Sequence, residues 1–307
     1  MKSGRSRLGQ RQVAFGSPLL AILVAFACLG LSSSAIMAQK NNQKSTAPER
    51  TFENFDRNNF ERSTNIDNKW LPLKPGTQYV YTGFTQEDKK RVPHRVVMTV
   101  TDLTKVIDGV RTVVVWERDY KAGKLLESEL VFFAQDKEGN VWHLGQYVET
   151  YDDVEFVGGR VWLSGMEGAR AGIMMKADPR PGTPSYSQGY APPPFNWTDR
   201  GKVDKVGQKT CVRARCYENV LVIAESSEEE GPDAEQLKYY APGVGYVRVG
   251  WRGKGEKLRE TLELVEVVKL DPEALAKVRA EALELEKRAS VYGRTPPAEF
   301  MPAAEGQ

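Results

Sequence analysis

The tightest constraint on this chain is a series of short turns set between runs of β-branched and aromatic residues. Residues 94–107 and 110–120 are two such runs, separated only by Asp108-Gly109. Asp-Gly in that position is the strongest short-range hairpin signal, because the favoured two-residue turn needs positive φ at both positions. Lys121-Ala122-Gly123-Lys124 then leads into 125–135 (LLESELVFFAQ), and Asp136-Lys137-Glu138-Gly139-Asn140 into 141–150 (VWHLGQYVET). With 77–84 (TQYVYTGF) in front, the pattern predicts an antiparallel meander. Further strands are expected at 202–206, 209–225, 239–252 and 257–270. The predicted fold class is all-β and mainly antiparallel: a strongly curved sheet or open barrel with one C-terminal α-helix.

That helix is expected over about 271–289. Asp271 is placed to cap it, Pro272 occupies the first helical position and Glu273 lies near the positive dipole end. Leu275, Val278, Ala282, Leu285 and Ala289 recur at helical spacing and give one apolar stripe.

The ends of the chain have different compositions. Residues 1–17 carry four basic side chains and no acidic one, 18–31 are apolar, and 32–38 end in Ala35-Ile36-Met37-Ala38. This is the three-part pattern of a cleavable signal peptide, with cleavage expected after Ala38. The apolar run is too short for a stable membrane span, and Cys28 falls inside it. The chain is therefore expected to be exported, periplasmic or secreted. Four of its 43 basic residues leave with the signal, against 41 acidic ones, so the mature chain is near neutral. It offers no electrostatic case for nucleic acid. Residues 39–68 read as a largely disordered polar tether, with phenylalanines able to dock on the domain. A single β-rich domain is expected over 69–292 and a disordered tail over 293–307.

No motif names a reaction. Gly-x-Ser-x-Gly, His-Glu-x-x-His, Gly-x-Gly-x-x-Gly and a phosphate-binding loop are all missing. His94 is expected to be exposed at a strand entrance, and His143 to face away from Trp142. Cys211 and Cys216 suit a disulfide across a tight hairpin, provided their Cα atoms come within about 7 Å. Metal and cofactor are expected to be absent. Glu149, Asp152 and Asp153, interleaved with Tyr147 and Tyr151, are the candidate acids if the chain is an enzyme acting on a glycan. Residues 169–200 hold six prolines together with Tyr186, Tyr190, Phe195 and Trp197. A long aromatic loop of this kind is a candidate recognition surface outside the core, and Trp142 joins it as a candidate ligand contact.

The segment 132–142 (FFAQDKEGNVW), with Pro75-Gly76-Thr77, Tyr79, Tyr81, Asp108-Gly109-Val110 and Ala171-Gly172-Ile173, resembles an uncharacterised family of exported bacterial β-rich proteins. Residues 238–246 (KYYAPGVGY) resemble a strand entry of lipoprotein-carrier-like curved sheets. The resemblance implies an exported β-sheet protein and supplies no catalytic residues. The leading functional expectation is a non-catalytic envelope protein that binds a small apolar or glycan ligand. A secreted carboxylate-dependent hydrolase or lyase, and an envelope structural protein, are the alternatives.

Overall fold

The computed structural model describes residues 50–301 except 88–89, 154, 214, 258 and 291–294. The expected signal segment, Cys28 and residues 39–49 of the expected tether lie outside the described residues.

The meander is present and extends further than expected. Strands β1 (Thr77–Glu87), β2 (Lys90–Ile107), β3 (Val110–Lys121), β4 (Lys124–Gln135), β5 (Val141–Asp152) and β6 (Glu155–Leu163) follow one another. Each pairs antiparallel with the next. The second half adds β9 (Arg200–Cys211), β10 (Cys216–Ser226), β11 (Glu235–Ala241), β12 (Gly245–Arg252) and β13 (Thr261–Lys269). β13 returns to pair with β1, so the two meanders join edge to edge into one sheet. The run expected over 239–252 is broken by Pro242-Gly243, where the chain reverses between β11 and β12. The run expected over 209–225 is likewise two strands, joined by the short loop that carries the cysteine pair. Cys211 and Cys216 are disulfide-bonded with Cα atoms 3.9 Å apart.

Alternation along the strands creates two apolar layers. Val113, Val115, Val131 and Phe133 face an inner core shared with the β9–β13 half, including Leu221, Ile223, Val249 and Leu262. Val114, Trp116, Leu130 and Phe132 face outward. There they meet α1 (Pro272–Ala289), whose Val278, Ala282, Leu285 and Ala289 are buried against them. The helix starts as its sequence dictates, with Asp271 accepting from the Ala274 amide at 2.8 Å. Ion pairs hold it to the sheet: Arg279 to Asp102 of β2, and buried Lys105 to Glu286 at 2.7 Å. Beyond it, β14 (Glu299–Phe300) pairs with β2, within the segment expected as a disordered tail.

Residues 50–68 lie along the domain. Phe55 and Phe60 pack on Trp142 with ring centroids 5.5 and 6.0 Å away. Asn68 accepts from the amides of Trp70 and Leu71, which turns 66–73 into the inner core.

The sheet remains open, and the proline-rich segment bridges the gap between its ends. β7 (Gly172–Met175) pairs with the start of β5, β8 (Tyr186–Ser187) pairs with β9, and Arg170 and Tyr190 exchange backbone hydrogen bonds of 2.8 and 2.9 Å. Gly172 is needed there, because a Cβ would lie 2.0 Å from the Gly189 nitrogen. Six prolines exclude long regular structure, yet leave room for these short pairings between them.

Candidate functional site

Inside the curved sheet is a cavity of about 250 Å³. Leu71 and Leu73 come from the segment entering the domain, Val96 and Met98 from β2, and Val131 and Phe133 from β4. His143 and Gln146 of β5 reach it on either side of a bulge at Gly145. Gly145 has φ near +149°, and a Cβ there would lie 2.4 Å from the Trp162 carbonyl oxygen. The bulge switches the phase of β5: Tyr147 and Glu149 now face outward, whereas without it they would have faced the cavity.

The apolar lining gives way to acids. Along β3 the inward positions run Val113, Val115, Glu117, Asp119; along β4 they run Phe133, Val131, Glu129, Glu127. The strand register sets Glu117 opposite Glu129 and Asp119 opposite Glu127. Two successive rungs of like charge are unfavourable for a sheet. Glu260 joins them from the far side.

These acids are unequally compensated. His94 lies between two of them, with Nε2 against Asp119 and Nδ1 2.7 Å from Glu260. Burial works against its charge, but the two carboxylates outweigh it and raise the imidazole to about 10. Lys238 also lines the cavity, but its Nζ pairs at 2.7 Å with Glu225, which also accepts from Gln188. Glu117 and Glu129 therefore have no cation of their own among the described residues. Burial raises the Glu117 carboxyl to about 7; Lys238 opposes this, and Asp119 and Glu260 add to it. Glu129 is raised well above the usual range by burial and then by Glu117 and Glu127. Both carboxyls keep part of their surface open to the lumen.

The residues singled out in the sequence are scattered by the fold. Glu149 is completely buried on the outer face. It accepts from the Tyr147 and Tyr151 hydroxyls at 2.6 Å each and from Arg288 of α1 at 2.6 and 2.9 Å. Burial alone would raise its carboxyl; these bonds outweigh that and hold it below the usual value. Asp152 and Asp153 are exposed, and Asp153 pairs with Lys124. The three acids do not meet in the cavity.

Trp142 is buried in the outer layer and donates to Asp136 at 2.7 Å. Tyr186 is buried as well, its ring lying where a Gly201 Cβ would go. The expectation that the loop aromatics sit outside the core fails for this residue, because β8 pairs it into the sheet. Tyr190 packs on Phe52, and Phe195 lines a second cavity of about 250 Å³ with Trp162 and three prolines. Trp197 reaches the inner cavity, 5.4 Å from the His143 ring and 6.2 Å from that of Trp162. His143 faces away from Trp142 as expected, and burial lowers it to about 4. His94, expected at the surface, is buried, because β2 begins at Lys90 and already covers it.

Glu117, Asp119, Glu127 and Glu129 went unnoticed in the sequence. Their signal was there: acids at alternate positions on both strands of a predicted hairpin, in phase with Val115 and Val131.

No protein-family profile and no curated protein matches this chain. Two solved structures do. One is a Bacteroides fragilis protein assigned to export and to a YmcC-like fold, 16% identical with a TM-score of 0.40. The other is a Parabacteroides distasonis protein assigned as a lipoprotein, 13% identical with a TM-score of 0.35. Each covers 66% of this chain and 100% of its own. Neither is described as a lipoprotein carrier, and at these values they carry no argument about what this chain binds.

Proposed function

We propose that this chain is an exported, non-catalytic binding protein whose inner cavity holds a small amphipathic ligand with an apolar body. The observation behind this reading is the lining, with aliphatic side chains at one end and uncompensated carboxyls at the other. Export rests on the signal-like N-terminus, and the disulfide agrees with an oxidising compartment. The aliphatic wall of Leu71, Leu73, Val96 and Met98 suits an apolar body.

Calorimetric titration of the mature protein with n-octanol, beside N-acetylglucosamine, tests this. Octanol is expected to bind one to one. Met174→Trp, which fills the cavity from a half-buried position, should abolish that binding and leave the fold intact by circular dichroism. Octanol binding that survives the substitution would place the ligand elsewhere.

A further inference from the structure

Glu117 and Glu129 have a use that the apolar walls do not explain. They face each other across a hydrogen-bonded strand pair, at the polar end of the cavity, beyond Val115 and Val131. Among the described residues, Glu129 has only the neighbouring Glu127 carboxyl as a hydrogen-bond partner, whereas four nearby acids have a cation. Asp119 and Glu260 share His94, Glu225 holds Lys238, and Glu127 lies 4.0 Å from Arg160. The Glu117 carboxyl makes no hydrogen bond among the described residues, and its surface opens on the lumen.

Resting on the cavity reading above, we propose that the ligand is a small cationic amphiphile, an alkyl- or arylalkylammonium, whose charged group sits between the carboxyls of Glu117 and Glu129. The ammonium supplies Glu117 and Glu129 with the cation that His94 and Lys238, held by other acids, do not give them. It also donates up to three hydrogen bonds, enough to engage both carboxyls at once. The apolar body lies along Val115, Val131 and Met98 toward Leu71 and Leu73. An anionic amphiphile is rejected by the same two groups, so the site discriminates by repulsion as well as attraction.

The surroundings give the binding a pH dependence. Glu117 is faced by Asp119 on its own strand, Glu129 and Glu127 on β4, His94 on β2, Lys238 on β11 and Glu260 ahead of β13. With its carboxyl raised to about 7, a cation must displace a proton at lower pH. The amine stays protonated throughout, as a lysine would. Affinity should therefore rise about 25-fold between pH 5.5 and 7.5, as the proton leaves.

The experiment is calorimetric titration of the mature protein with n-octylamine, n-octanol and octanoate at both pH values. Octylamine is expected to bind at least tenfold more tightly than octanol at pH 7.5, to release about one proton on binding at pH 5.5, and octanoate not to bind. The double variant Glu117→Gln/Glu129→Gln should lose both the preference for amine over alcohol and the pH dependence, with Glu129→Gln alone losing part of each. Equal binding of octylamine and octanol to the wild type would overturn the cationic assignment and leave the apolar cavity standing. So would an amine preference that survives in a folded double variant. Failure of all three probes to bind would remove the cavity reading and this inference together.

Discussion

Burial and the neighbouring Glu117 and Glu127 raise the Glu129 carboxyl well above its ordinary value. A raised carboxyl holds its proton more tightly in the folded chain than in the unfolded one. Its contribution is thus full below about 4.5 and is lost as pH rises through the folded value, about 7 for Glu117, with Glu129 raised in the same direction by burial. The raised His94 adds to stability fully below 6.5 and loses that contribution as pH climbs through about 10. Glu149, held low, acts in the opposite sense: it stabilises above 4.5 and is lost on acidification. Chemical denaturation across pH should accordingly show maximal stability near pH 4.5 and a decline from there toward pH 8. Glu129→Gln should raise stability by about 1 kcal/mol at pH 8 and flatten that decline. A variant less stable than wild type at pH 8 would show that the carboxylate is needed for the fold. The four acids were legible as an alternating pattern. Their effect depends on Glu260 and Lys238, which only the curvature of the sheet brings near.

Among the elements, α1 was the most readable, because its cap, its first-turn proline and its stripe are all local. What it packs against was not local. The helix lies across β2–β6, tied down by the Glu149–Arg288 pair. Leu285→Ala should lose about 2–4 kcal/mol in denaturant unfolding, since the side chain is 3% exposed. Glu149→Gln should also loosen the helix, by leaving Arg288 without its carboxylate. If Glu149→Gln left stability unchanged, Glu149 would be free for the chemical role first suggested for it. The Cys211–Cys216 hairpin was equally local. Replacing both cysteines with serine should cost at most about 2 kcal/mol, because a loop this short restricts the unfolded chain only modestly. Strand β6 escaped the sequence reading because Gly158 and Gly159 interrupt its alternation and Phe156 and Val157 face solvent.

For the molecule as a whole, the decisive feature is how the two ends of the sheet are bridged. Gly172 and the 187–190 backbone are in close contact there. Gly172→Ala is predicted to destabilise the protein by more than about 2 kcal/mol, and hydrogen exchange should then quicken at β7, β8 and residues 188–191 before the rest of the sheet. Uniform exchange across the sheet in that variant would mean the bridge unfolds only with the whole domain. By itself, the sequence determined the antiparallel hairpins, the capped helix and the cysteine staple, because each depends on neighbours a few residues apart. The tertiary structure alone decided which acids meet. The Gly145 bulge turns Glu149 out to Arg288, while sheet curvature brings β3 and β4 opposite β11 and β13. A one-residue change of phase selects the face of a strand, and contacts across the cavity join residues more than a hundred positions apart.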